Sequence, residues 1–139
     1  MHINASFDYA VLRVVPRVER EEFVNAGVLL YCQERRYLQC VVQMDEARLL
    51  ALEPSVDVEM VRQLLHAAAL ICRGDADAGP IAALSQRERF YWLTAPRSTV
   101  LQASPVRTGV CPKDADGCGD LDARLREIAA LMLRGPGDV

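Results

Sequence analysis

The sequence predicts an α+β domain: an antiparallel sheet of about five strands with helices packed on one face. Short runs rich in β-branched and aromatic residues are joined by brief polar links, and helical periodicity is gathered in blocks. The 139 residues fit one domain of ordinary size. A chain of that length buries roughly two-thirds of its unfolded surface, so its core needs neither disulfides nor a metal.

Tyr9 to Val15, YAVLRVV, reads as the first strand and stops at Pro16. Alternation puts Tyr9, Val11, Arg13 and Val15 on one face and Ala10, Leu12 and Val14 on the other. Both faces are largely apolar, which marks a central strand, with Arg13 as the exception. Pro16 to Asn25 is densely charged and reads as a connection or one short helical turn. Gly27 to Cys32 and Tyr37 to Gln43 form the next two strands, and the polar break Gln33 to Arg36 makes them an antiparallel hairpin. Leu38, Cys40 and Val42 share one face, while Gln39 and Gln43 lie on a half-solvated one.

From Asp45 the period changes. Asp45 to Pro54 fits a short helix with acids in its first turn. Asp57 to Arg73 carries Val58, Val61, Leu64, Leu65, Ala68, Ile71 and Cys72 at helical spacing, with Ser55 or Asp57 as N-cap and Gly74 as the stop. Gly74 to Pro80 is loop by composition. Phe90 to Thr94 and Thr99 to Ala103 read as short strands, and Val106 to Cys111 is available to extend the sheet. Cys111 to Gly119 reads as loop, and Asp120 caps a last helix with Leu121, Leu125, Ile128, Ala129 and Met132 on one face. The whole chain, residues 1–139, reads as a single domain, and 1–6 and 135–139 read as flexible ends.

Sixteen basic against 19 acidic residues leave a formal charge of −3, which argues against nonspecific nucleic-acid binding. Lys113 is the only lysine. The longest apolar stretch, Leu64 to Cys72, is interrupted by His66 and falls far short of the roughly 20 residues of a membrane span. The first residues show no basic region followed by an apolar run, so no secretory signal is expected. The five cysteines, Cys32, Cys40, Cys72, Cys111 and Cys118, read as reduced thiols in a cytoplasm.

Two arginine-bearing groups are candidate sites. The first is Arg13, Arg17, Arg20 and Asn25 with Glu19, Glu21 and Glu22. Arginine's planar fork suits a carboxylate or phosphate. Exposed Arg–Glu pairs account for Arg20, Glu19 and Glu21, whereas Arg13 and Asn25 sit against strand residues and need partners. The second is Arg87, Arg89, Arg97, Ser98, Thr99, Gln102 and Ser104, which could bind an anion, a peptide backbone or a nucleotide; the favoured account is turn bonding by its hydroxyls with Arg97 paired to an acid. Cys111 and Cys118 with Asp114, Asp116, Asp120 and Asp122 lack the order of a calcium loop and the spacing of a zinc site, so no metal or cofactor is expected. No nucleophile elbow or phosphate loop occurs, and core packing is favoured over base stacking for at least one of Tyr91 and Trp92.

The block YAVLRVVPRVEREEFVNAGVLL, Tyr9 to Leu30, and the block ERFYWLTAPRSTVLQASPVRTGV, Glu88 to Val110, resemble a bacterial family known as domain of unknown function 3037. With the helices between them they cover most of the chain. The resemblance implies a small bacterial cytoplasmic protein, often encoded beside a kinase-like protein similar to the HipA toxins. The family usually has histidine where this chain has Arg107, and arginine does not deprotonate near neutrality.

Taken together, these features favour a non-enzymatic protein-binding or regulatory module, with a HipA-like kinase-type protein as the implied partner. The alternative is a small-ligand, nucleotide or nucleic-acid binding or processing protein. It would use Arg13, Asn25, Arg89, Arg97, Ser98, Thr99, Gln102, Ser104 and Arg107. A homo-oligomer that pairs an exposed sheet edge is a third reading.

Overall fold

The β-branched and aromatic runs form five strands, all antiparallel, in a computed structural model that describes residues 4–112 and 120–133. They are β1 (Asn4–Val14), β2 (Val24–Cys32), β3 (Tyr37–Val42), β4 (Leu101–Ala103) and β5 (Arg107–Pro112). Four α-helices accompany them: α1 (Glu46–Leu52), α2 (Val58–Arg73), α3 (Gln86–Thr94) and α4 (Leu121–Leu133). The sheet order is β3-β2-β1, and the far edge of β1 is shared by β5 and β4. The α+β class and the interior position of β1 therefore hold. No helix among the described residues is long and apolar enough to cross a membrane.

Local chemistry sets the ends of the elements. Asp57 accepts from the Met60 N–H at 3.1 Å and starts α2. Gly74, at φ 69°, ends it in the left-handed conformation that glycine adopts freely. One 3-10 turn, Val18–Arg20, fills the charged connection after β1. Ser85 accepts from the Glu88 N–H and donates to the Glu88 carboxylate, a reciprocal cap that starts α3. That cap overturns the expectation of a strand at Phe90 to Thr94. Those five residues favour a strand on their own, but the Ser85–Glu88 cap starts a helix at Gln86, four residues before Phe90. β5 supplies the fifth strand instead.

Helices lie on both faces of the sheet, not on one. α2 and α3 bury Val61, Leu65, Ala68, Ile71, Phe90 and Leu93 against Leu12, Val14, Leu29, Tyr31 and Leu38. α4 buries Leu121, Leu125, Ala129 and Leu133 against Ala5, Phe7, Val28, Leu30 and Cys32 on the opposite face. The cause is in the strands themselves: β2 and the Tyr9–Val14 part of β1 are largely apolar on both faces, and a sheet of that kind needs cover twice. Tyr37 donates to the Asp122 carboxylate at 2.5 Å and ties α4 to β3; burial and that bond push its phenol well above the usual range. Residues 4–6, expected at a loose end, pair with 110–112 instead. The expected C-terminal end and most of the loop at 111–119 lie outside the described residues.

Two one-residue bulges face each other across β1. On one side Leu12 pairs with Gly27 and Arg13 with Asn25, so Ala26 is left over. Its carbonyl accepts from the Gln43 N–H at 2.9 Å. On the other side Leu12 pairs with Ala103 but Tyr9 with Arg107, so three steps on β1 face four on its partner. The extra residue falls at Ser104 to Val106, between β4 and β5. Ser104 closes the join: its N–H donates to Val11 O at 2.8 Å, and its hydroxyl accepts from the Val11 N–H at 2.8 Å.

Gly109 on β5 is opposite Phe7, whose ring lies over it. A Cβ at this glycine would sit 2.4 Å from Phe7 Cζ. Phe7 is packed under α4 and cannot swing away without leaving that core. Gly109→Ala is expected to lower the unfolding free energy by about 1–3 kcal/mol, the usual effect of overpacking. Urea denaturation tests this, and an unchanged midpoint would show that the ring is free to move.

Candidate functional site

The three arginines singled out in the sequence, Arg13, Arg89 and Arg97, end in three different places. Arg89, on α3, is 8% exposed. Its Nη1 donates to Ile71 O and Cys72 O, both at 2.8 Å, and its Nε donates to Leu84 O at 3.0 Å. Ile71 O and Cys72 O belong to the last turn of α2, where carbonyls lack helical partners and the helix end is partly negative. Arg89 therefore clamps α3 to the end of α2, and its donors face protein, not ligand.

Arg97 lies on the α2 side of the sheet. Its guanidinium sits 4.1 Å above the Trp92 ring and its Nη2 donates to Trp92 O. Burial lowers its pKa from the ordinary value. It borders an apolar cleft of about 290 Å³ with Leu64, Ile71, Trp92, Thr99, Leu101 and Gln102. The polar groups there are engaged locally: the Thr99 hydroxyl donates to Leu101 O at 2.9 Å, and the Gln102 amide to Thr99 O at 2.8 Å. Ser98 is exposed beside them. The Thr99 hydroxyl does turn chemistry, and the arginine stacks on its own tryptophan.

A second cleft, of about 310 Å³, opens on the α4 side and brings together Arg13, Asn25, Ser104 and Arg107. Tyr9, Val11, Phe23, Pro105 and Met132 complete its lining, and none of these residues is acidic. The fold places them by register. Arg13 and Asn25 are directly opposite at the Ala26 bulge, and Arg107 is opposite Tyr9 just beyond the β4–β5 join. Cross-strand partners point to the same face, so the two bulges aim all three side chains into one hollow.

The polar atoms of this cleft are unevenly matched. The Arg13 guanidinium lies 4.2 Å over the Phe23 ring. The Asn25 amide nitrogen donates to Met132 O at 3.1 Å, which fixes the amide's orientation and leaves Oδ1 turned the other way. Arg13 Nε and Asn25 Oδ1 are buried and have no hydrogen-bond partner. Each such group costs about 1–3 kcal/mol. One is a donor and the other an acceptor, on directly paired residues.

Neighbouring arginines show the contrast. Arg17 pairs with Glu53 at 3.1 Å and Arg20 with Glu22 at 2.7 Å. The Ser55 hydroxyl and then Arg17 hold the Glu53 carboxyl below its usual range. Arg13 and Arg107 have no acidic partner among the described residues. The first sequence group thus divides, with acids taking Arg17 and Arg20 and leaving Arg13 and Asn25. Phe23 and Met132 escaped the sequence reading. Phe23 was within reach, because it precedes Asn25 by two and alternation puts both on one face.

Two arginine forks and a carboxamide bind polar, anionic groups. The Cys40 thiol is pushed well up by its hydrogen bond with Cys72 and by burial.

The orphaned donor makes a prediction. Arg13→Met keeps an unbranched stem over Phe23 and removes the unmatched buried Nε. The unfolding free energy is expected to rise by about 1 kcal/mol. A fall of about 2 kcal/mol or more in urea denaturation would mean that the folded protein satisfies the Arg13 charge internally.

The family model described as Protein of unknown function (DUF3037) matches residues 9–125, a stretch that holds every cleft residue except Met132. No curated protein matches the chain, and no solved structure matches it. The match covers well over half of the sequence and includes both motif blocks; the chain belongs to the DUF3037 family.

Proposed function

We propose that this domain is a non-enzymatic protein-binding module of the bacterial cytoplasm, with a regulatory role, and that the Arg13–Asn25–Arg107 cleft is its recognition surface. One observation carries this reading: Arg13 and Arg107 line one cleft without an acidic partner among the described residues, and Arg13 Nε and Asn25 Oδ1 are buried there without hydrogen-bond partners. A fold tolerates mismatches of this kind at functional sites, where local consistency is traded for recognition. The partner implied by the family resemblance is the HipA-like kinase-type protein.

The nucleotide reading has less support. It needs arginines that converge on one phosphate, yet Arg89 is engaged by α2 and Arg97 lies across the sheet.

Co-expression with the kinase-like neighbour tests the proposal. The two proteins are expected to co-elute from a size-exclusion column at micromolar concentration. Arg107→Ala is expected to weaken the complex about tenfold, equivalent to about 1.4 kcal/mol. Separate elution, or an unchanged affinity for the variant, would contradict this account of the cleft.

A further inference from the structure

We infer that the apolar cleft between α2, α3 and β4 binds a small amphipathic carboxylate, with its hydrocarbon part against Leu64, Ile71 and Leu101 and its charged end on Arg97. The site lies across the sheet from the Arg13–Arg107 cleft and is independent of the reading given to that cleft.

Shape and lining define the hydrocarbon part. The cleft holds about 290 Å³, and its lining reaches down to Leu12 and Ala68, both almost wholly buried. It is a pit in the protein and not a flat face, a form that suits a small ligand better than a protein surface. A cavity of about 150 Å³ takes up benzene, so this one has room for roughly a dozen heavy atoms. Leu64 and Trp92 are exposed apolar side chains in the same lining. A hydrocarbon chain seated against them removes that surface from water.

Charge defines the other end. Arg97 is the one charged residue in the lining. Its guanidinium lies 4.1 Å over the Trp92 ring, which also lines the cleft, so the charge stands in the cleft wall. Nη2 donates to Trp92 O, and no acid among the described residues pairs with it. Burial alone lowers its pKa, as for a charge that has lost water without gaining a counter-ion. The neighbouring polar groups are engaged: the Thr99 hydroxyl donates to Leu101 O and the Gln102 amide to Thr99 O. A stacked guanidinium still offers N–H groups along its edge, and a carboxylate takes two of them at once. An uncharged hydrocarbon would remove more water from Arg97 and give it no counter-ion.

Trp92 is the only tryptophan of the chain, so the intrinsic fluorescence of the full chain reads this cleft. The probes are octanoate, octanamide and butanoate. Octanoate is expected to change the Trp92 emission saturably. It is expected to bind about fivefold or more tightly than octanamide, and about tenfold or more tightly than butanoate. Arg97→Gln is expected to bring octanoate down to the octanamide affinity. Ala67→Leu, at an exposed position of α2 in the lining, is expected to weaken octanoate and octanamide alike about fivefold or more by filling the cleft. The comparison of the three probes uses the wild-type chain, so it stands whatever the variants do to folding.

Equal affinity for octanoate and octanamide, or unchanged octanoate affinity in Arg97→Gln, would overturn the carboxylate assignment. Butanoate binding as tightly as octanoate would overturn the apolar seat. No saturable change in Trp92 emission up to about 10 mM octanoate would overturn the site itself. Tighter binding of acetyl-Ala-Ala-Leu-Phe with a free terminal carboxylate would overturn the small ligand in favour of a protein tail. A change in Trp92 emission on dilution with no probe present would overturn it in favour of a second copy of the chain.

Discussion

The outer edge of β1 is held together at one join. Val11 and Ser104 exchange two hydrogen bonds, one from the Ser104 N–H to Val11 O and one from the Val11 N–H to the Ser104 hydroxyl, each at 2.8 Å. Pro105 follows and has no N–H to give the ladder. The Ser104 hydroxyl also donates to Pro105 O at 3.0 Å, so one side chain bridges the break. Beyond it β5 resumes pairing one residue out of step with β4. With the opposing bulge at Ala26, this join bends the sheet locally and opens the α4-side cleft. Without it, β1 would expose a buried N–H, and Arg107 would stand on the other face from Tyr9.

β1 also dictates the layering. Its Leu12 and Val14 meet the α2–α3 side, while Ala5 and Phe7, with Tyr9 beside them, meet α4. The arginines are distributed by what each element offers them. Helix-end carbonyls take Arg89, a tryptophan ring and its carbonyl take Arg97, and glutamates take Arg17 and Arg20. Arg13 receives only the face of Phe23, and Arg107 receives no acid among the described residues. The cleft is thus where the polar matching of the fold is incomplete, on a surface shaped by two register shifts.

Much of this was legible in the sequence because it is local. The alternation of β1, the β2–β3 hairpin and the capped apolar stripe of α2 all follow from periods and caps. Arg13 also stood out as a charge on an apolar face. The rest depends on distant partners. Arg89 meets carbonyls 17 and 18 residues earlier in the chain, which no local pattern announces. Phe90 to Thr94 has strand-forming side chains, yet the Ser85 cap outweighs them. The second helical layer was implicit in a central strand apolar on both faces, but which helix covers it is decided by tertiary packing. A one-residue register shift leaves no mark in composition, and only Pro105 hints at it. For that reason Arg107 could be suspected as a site residue while its meeting with Arg13 and Asn25 could not be foreseen.

Amide hydrogen exchange at Val11 tests this account most directly. In the wild-type chain the Val11 N–H is expected to be protected like its β1 neighbours, because the Ser104 hydroxyl accepts it. In Ser104→Ala that acceptor is gone, and a buried unmatched N–H costs about 1–3 kcal/mol. Protection at Val11 is then expected to fall by about fivefold to a hundredfold, with the Arg13, Asn25 and Arg107 resonances shifting together. Equal protection of Val11 in both proteins, with those resonances unmoved, would show that the join does not hold the cleft.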